Sequence, residues 1–164
     1  ARALRGARCF IGRDATLGVF RREAPRARWI HLATHGHVRA DDPLQSGVRM
    51  ADGLLTLHEL SDLRLGAQCV VLSGCETGRG RLGAGEEVLG LSHAFLRGGA
   101  ESVVVSLWPV DDRSTLELMS RFARGLRDGE SPASALRNAM LALRTRRPHP
   151  WYWAPFVLMG NGWR

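Results

Sequence analysis

Three short apolar runs, rich in β-branched residues, constrain the fold of this chain more than any other feature. They read RWIHLA from Arg28, QCVVLS from Gln68 and ESVVVSL from Glu101. Short apolar runs near glycine are typical of buried parallel strands. Because parallel strands need crossover connections, the sequence predicts an α/β fold built around a mostly parallel sheet.

A hairpin is predicted between the first two runs. The segment VRMADGLLTL places Asp52-Gly53 between two extended stretches. Asp-Gly is a strong hairpin signal, because both positions of the tight turn need positive φ. We therefore expect a small hairpin beside the segment that follows the first strand.

Apolar residues at helical spacing indicate three helices in the second half of the chain. The second of them starts at a capping box formed by Ser114 and Glu117. A last strand is expected at a sheet edge, because it contains Pro155. The three helices are expected at 86–97, at about 115–127 and after Ser131-Pro132, and the strand at 153–159. The residues expected on the buried face of the second helix are Leu116, Met119, Ala123 and Leu126.

His35 and Cys75 each come just past the end of a predicted strand. The carboxyl ends of neighbouring parallel strands lie at the same end of the sheet, and open sheets bind their ligands beyond that end. A thiol and an imidazole are the minimum equipment for nucleophilic acyl transfer, with the thiol attacking and the imidazole managing the protons.

A dinucleotide site is an alternative, because Gly78, Gly80 and Gly83 form a literal GxGxxG. The spacing argues against it, since Cys75-Glu76-Thr77 separates the strand from the first glycine. The acidic residue expected at the end of the next strand is also missing, because Glu101 begins that strand. We therefore expect no cofactor.

A metal site is a second alternative. His31, His35 and His37 share parity in an extended segment and, with Cys75, could form a tetrahedral set. No other feature supports a metal, and we interpret His31 as a core histidine hydrogen-bonded to a neighbour and His37 as a loop residue. We expect no metal.

Length and cysteine usage favour one domain, 1–164, in a reducing compartment. The 164 residues begin without Met, so we expect a piece of a longer protein. No apolar stretch approaches the ~18 residues of a membrane span, and we expect a cytoplasmic protein. The three cysteines lack a CxxC spacing, which argues against a disulfide framework, and we expect Cys9 and Cys69 to be buried.

The net charge of +7 raises the question of nucleic-acid binding. All 23 basic residues are Arg, a bias that a GC-rich coding sequence produces more easily than selection for a binding surface. They are spread along the chain, and only Arg144, Arg146 and Arg147 form a tight group. Nucleic acid is therefore not the expected partner.

Five blocks of sequence, in order, resemble the CHAT domain, a member of the caspase-like and separase-like cysteine peptidase group. They are HLATHGH, DGLLTLHEL, VVLSGCETGRG, GLSHAFLRGGAESVVVSLWPVDD and HPWYWAPFVLMG. The resemblance implies a caspase-like three-layer sandwich, with upstream strands missing, at the C-terminal end of a larger bacterial-type protein. It implies a cysteine endopeptidase that acts on protein or peptide substrates, or a non-catalytic interaction domain. An upstream region such as tetratricopeptide repeats is implied as well.

The resemblance also assigns roles to individual residues. His35 becomes the catalytic histidine and Cys75 the nucleophile, and the backbone N–H groups of Gly36 and Cys75 form the oxyanion hole. The residues implied for the first specificity pocket are Ser73, Ser106, Trp108 and Asp111. Asp111 and Asp112 would favour a basic substrate residue there, although Asp112 could instead cap a helix.

Overall fold

The computed structural model describes residues 6–37, 39, 41–73 and 84–162, and for residues 84–88 it describes the backbone alone. The strands in these ranges are β1 (Trp29–Leu32), β2 (Gly36–His37), β3 (Gly47–Met50), β4 (Gly53–Thr56), β5 (Cys69–Leu72), β6 (Ser102–Ser106) and β7 (Phe156–Gly160). The α-helices are α1 (Leu17–Glu23), α2 (Leu57–Asp62), α3 (Ala84–Arg97), α4 (Asp112–Arg127), α5 (Pro132–Arg144) and α6 (Pro150–Trp153).

The main sheet contains β1, β5, β6 and β7 in that spatial order. β1, β5 and β6 run parallel, with Leu32 paired to Leu72 and Leu72 paired to Val105. β7 runs antiparallel to β6 and forms an edge of the sheet within the described part of the chain. The three apolar runs are the parallel strands predicted from the sequence, and the α/β class is confirmed.

Side chains of the central strand β5 alternate between two apolar cores. Val70 and Leu72 belong to the core that α1, α2, α3 and the hairpin cover, where Phe95 is fully buried. Cys69 and Val71 belong to the core on the opposite face, under α4 and α5. Each large apolar side chain buried in this way contributes roughly 1.5–3 kcal/mol. The result is a three-layer arrangement, consistent with a caspase-like sandwich.

The hairpin forms a second, antiparallel sheet in the order β2-β3-β4, which lies beside the end of β1. Its position is as predicted, but the turn residues are Ala51 and Asp52, with Met50 paired to Gly53. No non-glycine residue of the described ranges has positive φ, and Gly53 does not have it either. The Asp52 carboxylate accepts a hydrogen bond from the N–H of Leu17 at 2.8 Å, so this turn also caps the start of α1.

The start and the buried face of α4 differ from the prediction. Its N-cap is Asp111, whose carboxylate accepts a hydrogen bond from the N–H of Ser114 at 2.9 Å, so Ser114 lies inside the helix. Leu116 is 70% exposed. The side chains of α4 that are buried against the sheet are those of Ser114, Leu118, Met119, Phe122 and Leu126.

The last strand begins later than expected, at Phe156, because Trp153 belongs to the short helix α6. Within the described residues the strand lies at a sheet edge, as predicted, but Pro155, the reason for that prediction, precedes the strand. None of the helices in the described part of the chain has both the length and the apolar character needed to cross a membrane.

Candidate functional site

His35 lies in the short connection between the main sheet and the small sheet. The chain leaves β1 at Leu32, and the backbone carbonyl of His35 accepts a hydrogen bond from the N–H of Arg49 in β3 at 2.9 Å. One residue earlier, the Thr34 hydroxyl donates to the carbonyl of Arg49 at 2.8 Å. The His35 side chain is exposed, while its backbone is attached to the hairpin that the sequence predicted.

Gly36 begins β2 and pairs with Val48. The bond from Arg49 N–H to the His35 carbonyl makes His35 and Arg49 a hydrogen-bonded pair of the antiparallel ladder. Bonding alternates along such a ladder, so the N–H and C=O of Gly36 are directed away from β3. Among the strands that the structure describes, β2 is at the edge of the small sheet, so the Gly36 N–H lies on the outer side of that sheet.

Ser73 continues the contact between β5 and β1 beyond the last paired residues. Its N–H donates to the carbonyl of Leu32 at 3.1 Å, and its hydroxyl lies 2.6 Å from Nε2 of His31. The predicted hydrogen bond of His31 is therefore found, with Ser73 as the partner. The prediction that His31 is a core residue is wrong, because its side chain is exposed on β1, which is an edge strand within the described ranges.

Atoms packed around the His31 ring remove part of its hydration and lower its pKa. His37, expected in a loop, lies in β2 and is exposed. Among the described residues, no group of three or more His, Cys, Asp or Glu side chains could hold a metal ion.

Cys75 lies outside the described residues, together with Glu76 and the glycines of the GxGxxG, Gly78, Gly80 and Gly83. The register between β1 and β5 does determine where the segments that lead to His35 and Cys75 begin. His35 follows Leu32 by three positions, Cys75 follows Leu72 by three positions, and Leu32 and Leu72 are paired neighbours.

The four residues expected in a specificity pocket occupy different environments. Ser73 is half-buried at the end of β5, whereas Ser106, at the end of β6, is 1% exposed. Among the described residues, none forms a hydrogen bond with the Ser106 hydroxyl. Trp108 stacks on Trp151 with ring centroids 6.0 Å apart, and its Nε1 donates to the Trp151 carbonyl at 3.3 Å.

Asp111, the fourth of these residues, is already engaged. Besides capping α4 through the Ser114 N–H, its carboxylate accepts from the Ser114 hydroxyl at 2.8 Å and from Arg147 at 3.4 Å. The backbone and side-chain hydrogen bonds from Ser114 lower the pKa of Asp111, and the charge of Arg147 lowers it further. Asp111 is the helix cap, and Asp112 is the first residue of α4.

The two described thiols differ in access. Cys69 is fully buried in β5, as expected, and burial raises its pKa to about 11. Cys9 is exposed, so the expectation that it is buried is wrong. A thiol reagent added to the folded protein therefore meets Cys9 but not Cys69.

Sequence reasoning missed the hydrogen bond from Thr34 to Arg49, and it predicted a hydrogen bond for His31 without identifying Ser73 as the partner. Each of them joins different strands, so each depends on a register that the apolar runs alone do not fix. The polar residue inside the first run, His31, and the one that ends the second run, Ser73, were the available signal.

Comparison with known proteins agrees with the fold and with the motifs. The family model described as CHAT domain matches residues 1–161. The tetratricopeptide repeat protein 28 of Mus musculus is 36% identical over 110 residues, which is 66% of this chain and 4% of the mouse protein. The Homo sapiens protein of the same name is 32% identical over 132 residues, 76% of this chain and 5% of the human protein.

This chain thus corresponds to a small fraction of the length of these relatives. Both are mammalian, so they give no support to a bacterial source. The family match extends over nearly the whole sequence, including the segments that carry His35 and Cys75. The chain belongs to the CHAT domain family.

Proposed function

We propose that this domain is a cysteine endopeptidase in which Cys75 is the nucleophile and His35 manages the protons. The observation that carries the proposal is the parallel pairing of Leu32 with Leu72. Paired strands lie about 4.8 Å apart, and a three-residue connection spans at most about 10 Å. The segments that contain His35 and Cys75 therefore start side by side at the same end of the main sheet, where β1 and β5 finish.

In the proposed reaction the Cys75 thiolate attacks the carbonyl carbon of a peptide bond. The carbonyl oxygen becomes an oxyanion, which accepts hydrogen bonds from the backbone N–H groups of Gly36 and Cys75. His35 protonates the nitrogen of the leaving amine as the C–N bond breaks, leaving an acyl-enzyme. His35 then takes a proton from water, which attacks the thioester, so that the C–S bond breaks and the acid is released with the Cys75 thiolate and the protonated His35 regenerated.

The small sheet supports the roles of His35 and Gly36. The hydrogen bond from Arg49 restrains the His35 backbone, and the register directs the Gly36 N–H away from β3. Glycine at this position leaves room for substrate backbone to approach the N–H, because it has no Cβ. An oxyanion hole needs such a donor on the substrate side.

The test uses the full chain carrying Cys9→Ser, because the exposed Cys9 thiol would otherwise react with the probe. The probe is a set of peptide acyloxymethyl ketones that differ in the residue next to the electrophile. We expect one labelled cysteine, complete loss of labelling in Cys75→Ala and a loss of at least about 100-fold in His35→Ala. The matched control is His37→Ala, an exposed histidine two residues further on.

Cleavage of a peptide library, analysed by mass spectrometry, gives the second readout. The peptidase proposal would be supported if the parent protein generates cleavage products from the library and the Cys75→Ala protein generates none. Equal labelling and cleavage in parent and Cys75→Ala would contradict it, and no labelling or cleavage of the parent would favour the non-catalytic interaction domain.

We further propose that the domain functions beside tetratricopeptide repeats in a longer polypeptide. Both mammalian relatives are named for these repeats, and the matched region is only 4–5% of each. Such repeats stack into surfaces that bind partner proteins. Activity should therefore be compared with and without any repeat region of the native chain.

A further inference from the structure

The contact between His31 and Ser73 is the point where the segment leading to Cys75 is attached to the rest of the main sheet. The backbone bond from Ser73 N–H to the Leu32 carbonyl, 3.1 Å, continues the ladder between β5 and β1 by one residue. The His31 ring then contacts the Ser73 hydroxyl at 2.6 Å. His31 lies in β1 and Ser73 directly follows β5, and these are the two strands after which His35 and Cys75 come in the sequence.

A place in the apolar core does not account for a histidine at position 31. The ring lies on the edge strand and is exposed, whereas its neighbour Ile30 is 8% exposed and belongs to the core. An exposed aromatic side chain adds little to the apolar core. What the ring does provide is a hydrogen-bonding nitrogen for Ser73, one residue beyond the last paired residue of β5.

We propose that His31 is a positioning residue, which holds the Ser73 hydroxyl and thereby fixes the start of the segment that carries Cys75. The inference rests on the proposed peptidase function. Cys75 follows Ser73 by two residues, so its backbone lies within about 7 Å of this attachment. A shift of about 1 Å in a reacting group can cost about 100-fold in rate, so one hydrogen bond at this position affects catalysis far more than it affects folding.

The electrostatic state of the ring suits this role. Reduced hydration lowers the pKa of His31, so the ring is neutral at physiological pH and can accept the Ser73 proton or donate to its oxygen, according to tautomer.

Ser73 and His31 also have the composition of a serine–histidine dyad, and the alternative that Ser73 is itself a nucleophile must be tested. In such dyads a third group usually orients the histidine. Among the described residues, none is hydrogen-bonded to the other ring nitrogen, Nδ1 of His31. This favours an anchoring role for the hydroxyl.

The experiment compares His31→Ala, Ser73→Ala and their combination, in the full chain with Cys9→Ser. We expect each single change to lower kcat by 10- to 100-fold with little change in KM, and the double variant to be no slower than the worse single variant. His31→Gln retains a hydrogen-bonding group, and Ser73→Thr retains the hydroxyl. Both conservative variants should keep kcat within about 5-fold of the parent value. The melting temperature of every variant should stay close to that of the parent protein.

A loss confined to KM in Ser73→Ala, without coupling to His31, would overturn the inference and leave Ser73 as a pocket residue. Full kcat in His31→Ala would overturn it as well. Labelling of Ser73 by a fluorophosphonate would identify Ser73 as a nucleophile, which also contradicts the anchoring role.

A readout that does not need turnover separates this inference from the peptidase proposal. Alkylation of Cys75 by iodoacetamide does not require peptide cleavage, and its rate depends on where the thiol lies and what surrounds it. A several-fold change of this rate in both His31→Ala and Ser73→Ala supports the anchor, even if no substrate is cleaved. Unchanged alkylation rates would contradict the anchor, while loss of activity in Cys75→Ala would still support the peptidase.

Discussion

The Thr34 hydroxyl donates a hydrogen bond to the backbone carbonyl of Arg49 at 2.8 Å, immediately before the proposed catalytic histidine. Together with the bond from Arg49 N–H to the His35 carbonyl, it attaches the connection between the two sheets to β3 at two points. We expect Thr34→Val, which removes the hydroxyl but keeps the shape, to lower kcat/KM about 10-fold through a less well oriented His35.

Steady-state kinetics on a cleaved peptide measures this effect, and Thr34→Ser is the matched control because it keeps the donor. Equal kcat/KM in the Val and Ser variants would show that the hydroxyl does not help to place His35.

Two buried serines on β6 should respond in opposite ways to alanine. The Ser102 hydroxyl donates to the carbonyl of Gln68 at 2.7 Å, whereas among the described residues the Ser106 hydroxyl has no partner. Ser102→Ala should lower the free energy of unfolding by about 1–2 kcal/mol, while Ser106→Ala should change it by less than about 0.5 kcal/mol or raise it. Urea denaturation of both variants checks the contrast, and equal destabilisation would contradict it.

Gly47 is required by close packing within the hairpin. A Cβ at this position would lie 2.1 Å from the carbonyl oxygen of Leu55, a backbone atom that cannot rotate away. We expect Gly47→Ala to destabilise the fold by about 3 kcal/mol or more. Gly18→Ala is the control, because Gly18 is exposed in α1 and its nearest such neighbour is 4.0 Å away. It should stabilise by about 0.5–1 kcal/mol in thermal denaturation, and a tolerated Gly47→Ala would contradict the packing argument.

The buried thiol of Cys69 makes stability depend on alkaline pH. Burial raises its pKa to about 11 in the folded protein, against about 8.5 in an unfolded chain. The protonated Cys69 thiol thus makes its full contribution to the free energy of unfolding below about pH 8.5. This contribution is lost as the pH rises towards 11, because the thiol releases its proton more easily in the unfolded chain. Denaturation of parent and Cys69→Ala between pH 7 and 10.5 should show a steeper fall for the parent. Parallel curves would rule out this linkage.

The engagement of Asp111 predicts that it does not select substrates. Its carboxylate caps α4 and contacts Arg147, in both cases through Oδ2, so its negative charge already has a cationic partner within the domain. Asp111→Asn keeps a capping oxygen and removes the charge, and we expect the residue preference in a peptide library to be unchanged. A loss of cleavage next to Arg or Lys would instead assign the pocket role to Asp111.

The sequence predicted the elements whose signal is local. Three apolar runs became the parallel strands, Ser131 caps α5 through the Ser134 N–H, and the hairpin lies where Asp52-Gly53 indicated. Helix boundaries were predicted less accurately where neighbouring residues compete to cap the same helix. Asp111 precedes Ser114 by three residues and, as a charged acceptor, caps α4 in its place.

What depends on tertiary contacts could not be read from the sequence. Leu116 is exposed because Leu118, Phe122 and Leu126, spaced four apart, form the buried stripe of α4. The hydrogen bond of His31 to Ser73 depends on the register between two strands that are distant in sequence. The position of His35 could be anticipated as a strand end, but its attachment to Arg49 could not.

Because β7 runs antiparallel to β6, the chain leaves β7 at the end of the main sheet opposite the end of β6. The last residue of β7, Gly160, pairs with Ser102, at the opposite end of β6 from Ser106. A fluorophore or an immobilising linker joined to the chain after Gly160 would therefore stand on the far side of the sheet from His35. Surface-bound protein prepared in this way would keep His35 facing the solution, which makes binding measurements with large partners practical.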